Sequence, residues 1–188
     1  MSSVVLKVIS ILALPVFVFL AGAWIMAAAS GRERVDERLQ QHAAAEDRRP
    51  LNQRFRYDRA AVERHWGALD EGALEAERTF LELDLVFPLA YGAAFAFSLL
   101  MAWASLGRPL NPAWLLVIVG LTVVSDWVEN LVLLEQLRRY LSGGAEPLQS
   151  AWIATASVAT TLKLLSFTVM SIVLLALSAK MLLVRQSS

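Results

Sequence analysis

The sequence has no cysteine and only two histidines, and this removes several kinds of chemical site. Without cysteine there is no disulfide, no thiolate nucleophile and no cysteine-based metal site. His42 and His65 both fall in the single long polar stretch, so no helix histidines are left to hold a haem. The Glu-x-x-His spacing of di-iron bundles and the His-Glu-x-x-His spacing of zinc helices are also missing. We therefore predict no metal and no cofactor.

The chain also carries no net charge, because 17 basic residues balance 17 acidic ones. A neutral chain lacks the basic footprint that nucleic-acid binding needs, so nucleic acid is not an expected partner. Nor does the sequence contain a glycine-rich phosphate loop or the Gly-x-Ser-x-Gly elbow of serine hydrolases. These absences argue against several common enzyme classes and leave any catalytic residues unknown.

What the chain does have is apolar sequence, 57% of the residues, concentrated in four blocks. The blocks cover residues 4–29, 81–106, 113–137 and 151–184. Each exceeds the roughly 20 mostly apolar residues that a helix needs to cross a bilayer. Tryptophans and tyrosines near the block ends are typical of membrane interfaces. We predict one polytopic membrane domain over residues 1–188, with the lipid bilayer as its surroundings.

The polar loop of residues 30–80 is predicted to form helices outside the membrane. Its mixed charges suggest a surface helix over residues 34–49, and Asp58 suggests the N-cap of a short helix that runs to Trp66. A turn is expected at residues 70–72, after which residues 73–80 should continue without a break into the second span. The expected fold is all-α: a four-helix transmembrane bundle with a helical extramembrane cap formed by loop 1.

Charges inside the third and fourth spans are the main candidates for a functional site. Glu129 and Asn130 follow Asp126 by three and four residues, so they share one helix face with it. A carboxylate in mid-membrane costs about 2.5–3.5 kcal/mol on insertion scales, so both acids should face the bundle interior. Lys163 is far from either end of its span and needs a counter-ion, for which Asp126 or Glu129 is available.

The second span begins with the motif Asp84-x-x-Phe87-Pro88-x-x-Tyr91. Spacings of four and three place Asp84, Pro88 and Tyr91 on one face, and Pro88 cannot donate a backbone bond to the carbonyl of Asp84. Counted from the loop 1 side, the candidate residues have similar depths. We therefore expect one cavity that opens toward loop 1, with His42, His65 and loop 1 arginines as its lid. The residues expected to line this cavity are Asp84, Tyr91, Asp126, Glu129, Asn130 and Lys163.

The motifs Asp-x-x-Phe-Pro-x-x-Tyr-Gly at Asp84–Gly92 and Asp-x-x-Glu-Asn at Asp126–Asn130 resemble a pattern in small uncharacterised bacterial four-helix membrane proteins. The resemblance covers mainly the second and third spans, and it implies an architecture and a bacterial inner membrane but no chemistry. The layout is also similar to claudin-like tetraspans, although the first-loop cysteine pair of that family is absent. Flanking arginines narrowly favour loops 1 and 3 in the cytoplasm, and the opposite orientation stays open.

Three functions remain open on the sequence alone. The favoured one is a structural or regulatory membrane subunit, in which the buried charges hold helices together and loop 1 docks a partner. That partner would be another membrane protein or a second copy of the chain. The alternatives are a binding or transport site for a small molecule, a lipid or a proton-coupled solute, and a small intramembrane enzyme. The alternatives would use Asp126, Glu129 and Lys163, with Asp126 or Glu129 as the general base of an enzyme.

Overall fold

The computed structural model describes residues 3–44, 48–107 and 111–186, and all regular structure in that part of the chain is helical. A single 3-10 turn at Leu51–Gln53 lies between the second and third helices. The seven α-helices are α1 (Ser3–Ser30), α2 (Arg32–His42), α3 (Arg59–Gly67), α4 (Glu71–Leu83), α5 (Phe87–Ser105), α6 (Ala113–Gly143) and α7 (Ser150–Gln186).

Among the described residues, four helical stretches are long and apolar enough to cross a membrane: α1, α4 with α5, α6 and α7. At 1.5 Å per residue, α5 alone is roughly 28 Å long, close to the hydrocarbon thickness of a bilayer. The helix α7 has 37 residues and reaches roughly 55 Å, which is well beyond that thickness. The excess length of α7 is accounted for by its first turns, which pack against the cap.

The helices of loop 1 differ in part from the sequence prediction. Asp58 is confirmed as the N-cap of α3, since its Oδ1 accepts a bond from the backbone N–H of Ala61 at 2.8 Å. The expected helix over residues 34–49 is shorter, because α2 ends at His42. Residues 45–47 of that prediction lie outside the described residues. The predicted turn at 70–72 is wrong, because Asp70 caps α4, which starts at Glu71.

The prediction of a continuous helix into the second span is also wrong, since a turn at residues 84–86 separates α4 from α5. Pro88 has no N–H for the carbonyl of Asp84, so the helical ladder is interrupted there. Side chains of α6 bond to the two carbonyls left over. Asn130 Nδ2 donates to the carbonyl of Asp84 at 3.0 Å, and Trp127 Nε1 donates to that of Leu85 at 2.8 Å. The turn is thus fixed to α6.

The molecule has two hydrophobic cores, one above the other along the helix axes. The upper core joins loop 1 and α4 to the last turns of α6 and the first turns of α7, around the fully buried Trp66, Leu137 and Ile153. The lower core joins α1, α5, α6 and α7 around Leu99 and Met170. The cap is therefore continuous with the bundle, and the candidate charges lie near the junction of the two cores.

Glycine permits a sharp connection and a close approach at two places that shape the bundle. Gly31 has φ +71° and redirects the chain from α1 into α2, which then packs on α4. Gly92 lets α5 approach α6, because a Cβ atom there would lie 2.6 Å from Cγ2 of Val123. Residues 108–110 of the short link between α5 and α6 lie outside the described residues.

Candidate functional site

An ion cluster joins α6 and α7 through the three charged residues of the last two spans. Lys163 Nζ is 3.0 Å from Oδ1 of Asp126 and also forms an ion pair with Oε2 of Glu129. All three side chains are buried. Tyr91 of α5 donates from its hydroxyl to Oδ2 of Asp126 at 2.8 Å. Removing charges from water is costly, and this arrangement supplies each member with a charged or hydrogen-bonded partner.

Asn130 connects the ion cluster to the turn between α4 and α5. Its Nδ2 atom lies 3.0 Å from the carbonyl of Asp84 and 3.3 Å from Oδ1 of Asp126. One turn of α6 away from Asp126, Thr122 donates to Ser166 of α7 at 2.9 Å. The polar contacts between α6 and α7 therefore continue below the cluster, and the positions of Asp126 and Lys163 are fixed from both sides.

Asp84 differs from the other two carboxylates of the site. It is only 4% exposed, yet no described lysine, arginine or histidine forms an ion pair with it. Asn130 is its polar neighbour. Lys163 is the one lysine of the cluster and is already paired with Asp126 and Glu129. Three carboxylates thus face one ammonium, so the site as a whole has an excess of acid.

These charges border a cavity of about 300 Å³ between α1, α5 and α7. Asp84, Tyr91, Asp126 and Lys163 all line it. The polar residues Asn52 and Gln53 of the 3-10 turn cover the upper side of the cavity. The other residues that line it are apolar: Phe19, Ala23, Met26, Phe80, Phe87, Leu164 and Phe167. Concave sites with apolar walls and a few convergent polar groups are typical of small-molecule binding.

Four aromatic rings from three helices form one wall of this cavity. Phe19 of α1 lies 5.6 Å from Phe87 and 5.4 Å from Phe167, measured between ring centroids. Tyr91 lies 5.3 Å from Phe87 and 6.1 Å from Phe167, in edge-to-face geometry. Three phenylalanine rings therefore pack against the ring of Tyr91, whose hydroxyl donates to Asp126, and they place polarizable apolar surface beside the buried charges.

A strap formed by residues 50–58 covers the site from the cap side. The backbone N–H of Tyr57 donates to Oγ of Ser157 at 2.9 Å, and its hydroxyl lies 3.1 Å from Oγ1 of Thr160. Thr161 also donates to the carbonyl of Phe55. Burial, with the nearby Glu129 carboxylate as a second cause, raises the pKa of Tyr57 well above its usual range. The strap is thus tied to α7 by three hydrogen bonds.

The structure brings the six predicted site residues together, but not all of them reach the cavity. Asp84, Tyr91, Asp126 and Lys163 line it, whereas Glu129 and Asn130 lie behind and hold the others in place. The predicted lid is different. Asn52 and Gln53 cover the cavity, while His42 borders a separate groove on the cap surface and His65 is fully buried elsewhere.

A second buried charge cluster, in the cap, was missed by the sequence analysis. Arg32 binds Oε2 of Glu77 at 2.5 Å, and Nε2 of His65 lies 3.7 Å from Oε1 of the same carboxylate. The guanidinium of Arg32 also stacks over the ring of Phe80, 4.9 Å from its centroid. All of these residues belong to the polar loop, whose charges are expected to face solvent. No pattern in the sequence therefore predicts this buried cluster.

The cavity residues do not suggest a known kind of metal site. Within the described part of the chain, no three histidine, aspartate or glutamate side chains meet in an arrangement that could hold a metal ion. Comparison with protein families, with curated proteins and with solved structures finds no match to the chain. The resemblance to small bacterial four-helix membrane proteins therefore stays a prediction, and the site has to be interpreted from its own chemistry.

Proposed function

We propose that the chain is an integral membrane protein that binds a small amphiphilic molecule in the cavity beneath its cap. In this proposal α1, α5, α6 and α7 cross the membrane, and α2, α3 and the strap lie on one face of it. The length and composition of the four apolar stretches support the crossing. The shape and chemistry of the cavity support the binding.

One observation carries this proposal: the buried charges face a cavity. Charges that only hold helices together are best sealed against each other, since any remaining polar surface adds a desolvation cost. Here Asp84, Asp126 and Lys163 all contribute to the wall of a cavity of about 300 Å³. That volume lies at the small end of the range for ligand pockets, roughly 300–1,000 Å³.

The position of the cavity suggests that the ligand enters from the lipid phase. Of the residues that line it, Phe19 on α1 and Gln53 on the strap are exposed. The cavity therefore meets the surface where α1 lies beside the strap. In a membrane this place lies at the lipid-facing side of the bundle near the interface. An amphiphile could leave its apolar part among the aromatic rings and place its polar group against the charges.

The subunit hypothesis receives less support from the cap. A docking surface on loop 1 would draw on the arginines in or beside the strap, which are Arg54, Arg56 and Arg59. Arg59 instead donates to the carbonyls of Ala145 and Leu148, which fastens α3 to the link between α6 and α7. Arg54 donates to the carbonyl of Arg49 at 2.9 Å. Two of the three side chains are therefore engaged within the cap.

Native mass spectrometry of protein extracted gently from its own membrane tests the proposal. We expect a reproducible small adduct on the wild-type chain. Ala23→Phe should remove the adduct, because Ala23 lines the cavity and a phenylalanine ring would fill much of it. Ala28→Phe is the matched control, since Ala28 is on the same helix but is exposed and outside the cavity lining.

The two phenylalanine variants separate a cavity ligand from lipid bound elsewhere. An adduct that is present on the wild type and on Ala28→Phe, and absent from a folded Ala23→Phe, supports the proposal. A wild-type chain that carries no adduct, or an adduct that persists in Ala23→Phe, contradicts it. Circular dichroism of each variant checks that the helices are intact.

A further inference from the structure

The charge imbalance of the site indicates which class of ligand it accepts, an inference that rests on the proposed function. Lys163 is shared by Asp126 and Glu129, and its Nζ contacts both. No described cation pairs with Asp84, although this residue is 96% buried and lines the cavity. A buried carboxylate without a cationic partner is costly, unless it takes up a proton or a ligand supplies the missing positive charge.

The aromatic wall favours a ligand cation over a bare proton or metal ion. Aromatic rings attract cations through their π electrons, and cages of such rings are a common way to bind quaternary ammonium groups. Phe19, Phe87, Tyr91 and Phe167 line the same cavity as Asp84. A carboxylate without a cation partner, beside several aromatic rings, is the combination of groups that an organic ammonium requires.

We propose that the cavity binds an amphiphilic organic ammonium, whose positive nitrogen pairs with Asp84 and whose apolar part packs against the four aromatic rings. Lys163 does not form an ion pair with Asp84, since Asp126 and Glu129 both hold its Nζ. An anionic ligand would meet three carboxylates, two of which line the cavity, and an uncharged one would leave Asp84 without a cation. The cationic nitrogen is thus the feature by which the site selects its ligand.

Two probes of nearly equal shape isolate the contribution of the charge. Benzyltrimethylammonium carries a quaternary nitrogen, and neopentylbenzene has the same outline with a carbon in its place. Binding of each to the full chain in lipid nanodiscs is measured by the shift of the thermal unfolding midpoint, with empty nanodiscs as the reference for partitioning. We expect the ammonium to bind at least about tenfold more tightly than its uncharged isostere.

The variant Asp84→Asn keeps the shape of the side chain and removes its charge. It should weaken binding of benzyltrimethylammonium about tenfold or more and leave binding of neopentylbenzene nearly unchanged. Glu82→Gln is the control, because Glu82 is an exposed carboxylate two residues away that pairs with Arg78 on the surface. It should bind both probes as the wild type does.

The outcomes separate the ligand class from the proposed function. Equal binding of both probes, blocked by Ala23→Phe and unaffected by Asp84→Asn, would overturn the ammonium proposal while leaving a binding cavity. If neither probe binds to the wild-type protein, both proposals fail. Selective binding of the ammonium that is lost in Asp84→Asn and kept in Glu82→Gln supports both.

Discussion

The two buried charge clusters in the described residues each take one acid from α4 or its C-cap, and yet they differ in their balance of charge. Glu77 and Asp84 are seven residues apart, two helical turns, so they point the same way at a separation of roughly 10 Å. Phe80 lies between them, stacked under Arg32 on one side and facing the cavity on the other. Glu77 inside α4 and Asp84 at its C-cap thus contribute one acid to each cluster.

The cap cluster is balanced and closed. Glu77 has Arg32 on one oxygen and His65 near the other, and all three side chains are buried. The cluster beneath the cap has three carboxylates for one lysine and borders a cavity. Burial of charge therefore does not by itself indicate function. A buried cluster with unequal numbers of positive and negative charges, next to a cavity, is a better indication of a binding site.

The largest expected effect comes from breaking the balanced cluster with Glu77→Gln. Arg32 would keep only the exposed Asp36, 3.5 Å from its Nε, as a counter-ion, and a guanidinium cannot lose its proton to relieve the cost. We expect a loss of about 3–5 kcal/mol in the free energy of unfolding, measured by denaturant titration in detergent.

A paired replacement shows whether the cap cluster is only structural. Arg32→Met with Glu77→Leu removes both charges and should recover most of the stability lost in Glu77→Gln. Binding of benzyltrimethylammonium should be unchanged in this double variant. A double variant that is as unstable as Glu77→Gln, or that no longer binds benzyltrimethylammonium, would contradict a purely structural role for the cap cluster.

Lys163→Met should be the next largest change in stability. It leaves Asp126 and Glu129 buried without a cation, but carboxylates can bind protons, so the cost should fall below that of Glu77→Gln, at about 2–3 kcal/mol. Adding Asp126→Leu and Glu129→Leu should restore stability and keep binding of the ammonium probe, because Asp84 and the aromatic rings remain. A triple variant that regains stability but no longer binds the probe would show that Asp84 and the rings do not suffice for the site.

Trp127→Phe tests the turn that positions Asp84. The indole N–H bonds to the carbonyl of Leu85, and phenylalanine would leave that partly buried carbonyl without a donor. We expect a loss of about 1–2 kcal/mol in stability, together with weaker binding of the ammonium probe because Asp84 is held less firmly. Thermal unfolding and the probe titration measure the two effects. Loss of stability with unchanged binding would show that the turn does not position Asp84.

Tyr57→Phe should have the smallest effect, confined to the strap. It removes the hydroxyl contact with Thr160 and keeps the ring, so the expected loss is about 0.5–1.5 kcal/mol. Hydrogen exchange of residues 51–58 should become faster, while exchange in α5 and α6 stays the same. Unchanged exchange in the strap would show that this hydrogen bond does not hold it to α7.

Much of the ion cluster could be predicted from the sequence, because intramembrane charges are few and must find one another. Lys163 had only Asp126 and Glu129 as partners, and helix spacing placed both acids on one face. Pro88 predicted an unpaired carbonyl at Asp84, although its effect was larger than expected: it ends α4 and starts α5. In this case the absent N–H determines a helix boundary, and the side chains that compensate come from α6.

Other features could not be predicted, because they depend on tertiary packing. Phe19 and Phe167 look like ordinary apolar residues in their spans, and nothing in their spacing indicates that they share a cavity. Arg32 and Glu77 are 45 residues apart in a polar segment where charges are normally solvated. Their burial follows from the way α2 packs on α4, which the pattern of charges does not specify.

The most direct test of the account is the thermal unfolding midpoint of ligand-free Asp84→Asn, measured beside the wild-type protein. If Asp84 is retained for a ligand cation, the empty site is strained by an unbalanced buried charge, and its neutral isostere should unfold at the same temperature or higher. A midpoint several degrees lower would show that the carboxylate stabilises the fold without any ligand. That result would contradict the distinction between a structural cluster in the cap and a binding site beneath it.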